Sequence, residues 1–179
     1  MEIRDATVED AEAICAVTRR SITELCISDH KDDVAVLGPW LGNKTRENFV
    51  AWIAHQNNSF IVAIKQGTSV GVGALTISGE ITLNYVSPDA RYQGVSQALL
   101  SALESRAKQQ GNRRCTLTST ETAHRFYCER GYADDKPTAS EFNSSGHSMT
   151  KLLVLPKACR AMSLLAQSRH KPVLLHVGS

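Results

Sequence analysis

Residues 80–111, EITLNYVSPDARYQGVSQALLSALESRAKQQG, decide the fold. Ile81–Val86 reads as a strand, because β-branched and aromatic residues dominate and Ile81, Leu83 and Tyr85 alternate with Thr82, Asn84 and Val86. Ser87-Pro88-Asp89 ends it, since proline cannot donate to a ladder and pushes its predecessor out of the helical region. From Val95 to Gln110, residues Ala98, Leu99, Ala102, Leu103 and Ala107 recur at helical spacing, and Gly111 marks the stop. Between strand and helix stands Arg91-Tyr92-Gln93-Gly94-Val95-Ser96-Gln97. A basic residue, a glycine and a small residue at a helix opening offer unpaired N–H groups and a positive dipole end, which suits a diphosphate. Gly94 lets the backbone approach that anion with no Cβ between them. An exposed helix-end contact contributes only about 0.3–1 kcal/mol, so several must converge. A loop glycine before an ordinary amphipathic helix is the plain alternative, and these residues alone do not remove it.

Outward from this stretch the elements alternate. Glu2–Arg4 predicts a short strand, and Thr7 caps a helix running to about Leu25 with Ile14, Val17 and Ile22 on one face. Residues 26–44 have no sustained period and read as an irregular loop. Thr45 caps a second helix that buries Phe49, Trp52 and Ile53. Phe60–Lys65 and Val70–Ser78 read as strands joined by Gln66-Gly67-Thr68-Ser69, and Gly79 turns the chain into the central strand. After the long helix come a strand (Arg114–Ser119), a short helix (Thr122–Arg130) stopped by Gly131, a weak strand from Tyr132, a polar loop and a last strand (Ser148–Val154). The expected class is α/β (α+β): a mixed, mostly antiparallel sheet of about seven strands flanked by helices. Consecutive hairpins from Phe60 to Val86 argue against a doubly wound nucleotide-binding fold. Gly71-Val72-Gly73 is no dinucleotide fingerprint, because Ala74–Ser78 continues as strand instead of opening a helix.

At 179 residues the chain suits one domain, and 42% hydrophobic with 21% charged residues is the composition of a soluble globular protein. The net charge is +2, and the basic residues that follow Glu141 are too sparse for a nucleic-acid arm, so no nucleic acid is expected as a partner. The five cysteines, odd in number and without paired spacing, point to a reduced, cytoplasmic setting. No segment approaches the ~18 apolar residues of a membrane span, so no membrane partner is expected.

Arg91, Gly94 and Ser96 resemble the signature of motif A in the GNAT superfamily of acetyl-CoA-dependent N-acetyltransferases: Arg or Gln, two residues, Gly, one residue, Gly or Ala. Ser96 departs from it but stays small and can donate a hydrogen bond. Thr122–Tyr132 resembles the second motif of that superfamily, with Tyr127, Phe126, Gly131 and Tyr132 in the matching places; the family often has Asn where this chain has Thr120. The resemblance covers roughly residues 1–153. It implies a central strand splayed from its neighbour, a cleft between them for acetyl-CoA as cosubstrate, and transfer to a primary amine. A non-catalytic acyl-CoA sensor of the same fold is the alternative.

The resemblance also implies roles. An ammonium of pKa ~10.4 must lose a proton before it can attack a thioester. Glu80, at the head of the central strand, matches the carboxylate that takes it, usually through water; a solvated turn glutamate is the bland alternative. Backbone N–H groups at Tyr85 and Val86 would stabilise the oxyanion, and Tyr127 would protonate the leaving thiolate. Arg91, Tyr92, Gln93, Gly94, Val95, Ser96 and Gln97, with Phe126, would hold the cofactor. Around the loop after the first helix, Cys26, Asp29, His30 and Trp40 are expected on the acceptor side, for a small-molecule or peptide amine. His124 and Cys128 stand four apart on a helix, as metal ligands or a thiol–imidazole pair can, but no further ligand stands at suitable spacing. Asp29-His30 with Asp32-Asp33 reads as a solvated loop. No metal is expected.

The N-acetyltransferase domain is expected to span residues 1–154, with an extension over 155–179. In the extension, Lys157–Gln167 can form an amphipathic helix and Val173–Val177 is an apolar run of strand character that needs cover. It either folds onto its own domain or adds to a second copy as a homodimer. The second is favoured, since the sheet is already complete at Val154; a disordered extension is the plain alternative.

Overall fold

The computed structural model describes residues 1–135 and 146–154. Seven strands form one sheet, ordered β1-β2-β3-β4-β5-β7-β6. They are β1 (Glu2–Asp5), β2 (Asn58–Lys65), β3 (Thr68–Thr76), β4 (Glu80–Val86), β5 (Arg114–Ser119), β6 (Ala133–Asp134) and β7 (His147–Leu152). Every neighbouring pair is antiparallel except β4 and β5, which run parallel around the crossover helix. The helices among the described residues are α1 (Ala11–Leu25), α2 (Ile27–His30), α3 (Val34–Gly42), α4 (Arg46–Ala54), α5 (Val95–Gln109) and α6 (Glu121–Cys128). The expected sheet and its strand order of appearance are therefore present.

Alternation along the central strands builds two cores. Val62, Val72, Ala74 and Leu83 face α1 and α4, packing with Ala11, Ile14 and Phe49. Their chain neighbours Ile61, Ala63 and Leu75 face the opposite way, against Leu99, Leu103 and Ala107 of α5, and Ile81 joins them because the register shift opposite Thr82 breaks the alternation between Ile81 and Leu83. Gly71 and Gly73 explain themselves here. A Cβ on Gly71 would stand 2.8 Å from Val95 Cγ1, and one on Gly73 would stand 3.0 Å from Leu103 Cδ1. The two glycines let α5 lie close on β3, and this fixes the depth of the helix's first turn.

Residues 26–44 are not an irregular loop. They hold α2 and α3, which hydrophobic periodicity hides: α2 has four residues, and α3, VAVLGPWLG, is apolar on nearly every side and contains Pro39. Asp33 caps α3 by accepting from Ala35 N–H at 2.8 Å. The expected helix and strand of the 155–179 extension, and the polar loop over 136–145, lie outside the described residues. No described helix is long and apolar enough to cross a membrane.

Candidate active site

β4 and β5 pair only at Glu80–Thr116 and Ile81–Leu117, and then part. The gap opens into a cleft of about 520 Å³. Its floor is the C-terminal half of β4, one wall is the first turn of α5 and another is α6, while the end of α1 closes it through Ser21, Leu25 and Cys26.

The α5 wall is prepared for an anion. Gly94 takes φ +78° at the N-cap and gives no side-chain cap, so the N–H groups of the first turn point outward without a side-chain partner at that residue. A Cβ there would meet no described atom within 4 Å, so the backbone stays open to a ligand. Two guanidinium groups line the same cleft. Arg91 lies over the Tyr92 ring at 4.6 Å, and Arg130 lies over the Phe126 ring at 4.2 Å and donates to Gln97 Oε1 at 3.0 Å. Two buried polar atoms of the lining, Arg130 Nε and Asn84 Oδ1, have no hydrogen-bond partner among the described residues. Burying such atoms is costly unless something pairs with them, and a polar ligand in the cleft would. A diphosphate fits the guanidinium and first-turn N–H donors, whereas Asn84 Oδ1 is an acceptor and suits a donor group of a ligand.

The strand floor supplies one free N–H that alternation can identify. Ser87 N–H donates to Val70 O on β3 at 2.9 Å. In an antiparallel ladder donors alternate sides, so Tyr85 also turns its N–H to β3, whereas Val86, opposite Gly71, turns its N–H toward the gap left by β5. The register shift in this pair lies at Ala74/Leu75, opposite Thr82, and not at Tyr85–Val86. Of the two expected oxyanion donors, only Val86 presents its N–H to the cleft; Tyr85 lines it by its side chain.

Tyr127 lines the cleft and is 7% exposed, and burial pushes its phenol up to about 12, with the Asn84 side chain opposing. It is protonated at neutral pH and has a proton to give. Tyr85 is likewise pushed up to about 12 by burial, with Trp40 beside it acting the other way. Cys26, the cleft's one cysteine among the described residues, is pushed up to about 12 by burial.

The Acetyltransferase (GNAT) domain family matches residues 33–153. The chain belongs to the GNAT acetyltransferases. It is similar to a GCN5-related N-acetyltransferase from Rhodopseudomonas palustris at 26% identity over 85% of this chain and 95% of that one, with a TM-score of 0.74. The PaiA N-acetyltransferase from Thermoplasma acidophilum, solved in complex with coenzyme A, shares the fold at 20% identity over 85% and 98% of the chains, with a TM-score of 0.74. An aminoglycoside 6'-acetyltransferase type Ii shares it at 16% identity over 87% and 99%, with a TM-score of 0.66. The protein is thus an N-acetyltransferase.

In this GNAT domain Tyr85, Val86, Arg91, Tyr92, Gly94, Val95, Ser96, Gln97, Phe126 and Tyr127 meet in the cleft, as does Cys26. Five expected residues do not line it. Gln93 instead holds the loop, donating to Asp89 O at 3.0 Å and accepting from Lys65. Asp29 caps α6, its carboxylate accepting from Glu121 N–H at 2.6 Å, Thr122 N–H at 3.3 Å and the Thr122 hydroxyl. His30 is buried under its own turn, between Ile22 O at 3.2 Å and Asp32 N–H at 3.0 Å. Trp40 stands half-buried on α3 behind Tyr85. Glu80 is exposed below the point where the strands part, because the cleft opens only beyond Ile81. Arg130 and Asn84 were not anticipated. Arg130 could have been, since it stands three residues after Tyr127 on the same helical face; nothing in the strand pattern singles out Asn84.

Proposed function

We propose that this acetyltransferase moves the acetyl group of acetyl-CoA directly onto the primary amine of a small molecule or peptide, with no acyl-enzyme. The observation that carries the reading is the parting of β4 and β5 beside the uncapped first turn of α5. Arg91, Arg130 and the N–H groups of Val95, Ser96 and Gln97 hold the diphosphate at one end. The thioester then lies along β4, where the Val86 N–H receives the developing oxyanion. Tyr127, which lines the cleft and carries its proton at neutral pH, gives that proton to the departing thiolate.

Glu80 serves as the base through water. Glu80 heads β4 two residues before Thr82, and Thr82 lines the cleft. Two residues of strand are about 6.5 Å, too far for a direct hydrogen bond and suitable for a bridging water. Direct attack is favoured over a ping-pong route because burial holds the Cys26 thiol protonated, which makes it a poor nucleophile.

The test mixes purified protein, acetyl-CoA and a panel of primary amines, read by thiol release and by the mass of the protein. Amine-dependent CoA release with an unmodified protein is expected. Stoichiometric CoA release without any amine, with one acetyl added to the chain, would replace direct attack by an acyl-enzyme.

A further inference from the structure

The flank of α6 turned away from the cleft carries a second cluster, which acetyl transfer does not use. His124 Nε2 and Asp134 Oδ1 are 2.8 Å apart, and His147 Nε2 and Glu121 Oε2 are also 2.8 Å apart. The two imidazoles lie face over face, with centroids 4.1 Å apart and planes inclined by 33°. Three elements converge here. α6 brings Glu121 and His124, β6 brings Asp134, and β7 brings His147 at its register position opposite Ser119. None of this was legible from spacing, since His147 stands far from His124 in the chain.

We propose that His124, Asp134 and His147 form a binding site for one divalent transition-metal ion of the Zn²⁺ type. Their ligand atoms lie within 4.8 Å of one another, so all three fall within about 2.8 Å of a common centre. Bound Zn²⁺ needs roughly 2.0–2.2 Å to imidazole nitrogen or carboxylate oxygen, so each ligand closes by under about 1 Å. Side chains that are 25%, 52% and 39% exposed are free enough to make that adjustment by torsion. Two imidazoles and one carboxylate suit Zn²⁺, Ni²⁺ or Cu²⁺, whereas Mg²⁺ and Ca²⁺ take oxygen ligands.

Glu121 supplies the outer support that such a site uses. A metal-bound imidazole commonly donates its other N–H to a carboxylate, and His147 Nε2 already faces Glu121. The Nδ1 of His147 then keeps the lone pair. At His124 the ion takes the Nε2 lone pair while the ring proton resides on Nδ1, and Asp134 Oδ1 turns from its hydrogen bond to the imidazole toward the ion. Cys128 Sγ, 3.7 Å from His124 Nε2, stands next to the three ligands and outside their set.

The experiment uses the full chain without a histidine tag, treated with chelator and dialysed, then titrated with Zn²⁺ in a calorimeter. One ion per chain is expected, as a saturable isotherm. His147→Ala and Asp134→Asn should abolish the saturable isotherm, and Glu121→Gln should weaken it about 10–100-fold. His55→Ala, at an exposed histidine elsewhere, should leave it unchanged. Asp134→Asn preserves shape, so it tests the site even where His147→Ala fails to fold. Saturable binding absent from the parent protein would overturn the proposal. So would an isotherm in Asp134→Asn and His147→Ala as tight as the parent's, since the ion would then sit elsewhere.

Discussion

Gly94 and Gly111 stand at opposite ends of α5 and allow the phosphate site to be tested against its own control. Their φ angles are +78° and +85°, and an added Cβ would meet no described atom within 4 Å at either one. Gly94→Ala and Gly111→Ala therefore carry the same backbone penalty, the left-handed conformation costing an alanine about 1–2 kcal/mol. For a chain of this size, each kcal/mol lowers Tm by about 2–4 °C, so both variants should melt roughly 2–8 °C below the parent. Only at Gly94 does the new methyl enter the cleft, where an anion would meet the first-turn N–H groups. Losing or stretching one hydrogen bond to a charged group costs about 1.5–3 kcal/mol. At 1.4 kcal/mol per decade this weakens CoA about 10–100-fold in Gly94→Ala. Gly111→Ala should bind CoA as the parent does. Thermal melting and a calorimetric CoA titration on both variants provide the comparison. Equal CoA affinities in the two variants would refute the assignment of α5's first turn to the diphosphate.

Three further outcomes are expected. Glu80→Gln should lower kcat about 100-fold at neutral pH, with the deficit shrinking as rising pH deprotonates the acceptor itself; a parent-like pH–rate profile removes Glu80 from the chemistry. Tyr127→Phe should slow turnover while the acceptor KM and CoA affinity hold, because it removes the proton given to the thiolate and leaves the ring in place; parent-like turnover means the thiolate leaves unaided. Asp10 accepts two hydrogen bonds from Arg4, at 2.7 and 2.8 Å, and one at 2.8 Å from Thr7 N–H, and its carboxyl lies at about 2 against an ordinary 3.8. A lowered carboxyl pKa stabilises the fold above the unfolded value and loses that effect as pH falls through the folded one. Discounted for the 39% exposure of Arg4, it contributes about 1 kcal/mol. Asp10→Asn should thus lower urea stability by about that much at pH 7, and the gap to the parent should close between pH 4 and pH 2; a gap independent of pH would assign it to packing.

What the sequence made legible was whatever a single element carries alone. The alternation of Ile81, Leu83 and Tyr85 marked the central strand, and the spacing of Leu99, Leu103 and Ala107 marked the helix that packs behind it. Arg91-x-x-Gly94 lies on one short loop, so its place in the cleft could be read locally. The residues that went astray depend on partners distant in the chain. Asp29 looks like a free acid beside a substrate, yet it faces the N–H groups of Glu121 and Thr122, which only the fold brings near. His30 looks like a loop residue because α2 is too short to show a period. Glu80 heads the strand as expected, but where the cleft begins depends on how long β4 and β5 stay paired, and no residue pattern in either strand encodes that length.

The placement of Asp29 also bears on how the two ends of the site are joined. Its carboxylate sits at the positive end of α6 and satisfies two first-turn donors, while Thr120 accepts from Ala123 N–H at 3.2 Å. Ser28, its chain neighbour, hydrogen-bonds Thr122 at 3.0 Å. α2 is thereby bound to the helix that carries Phe126 and Tyr127. On its other flank the same helix holds His124 against Asp134. Asp29, expected on the acceptor side, instead holds α6 in place, and in the proposed reaction the amine would meet the cleft surface formed by Ser21, Cys26, Thr82 and Tyr85.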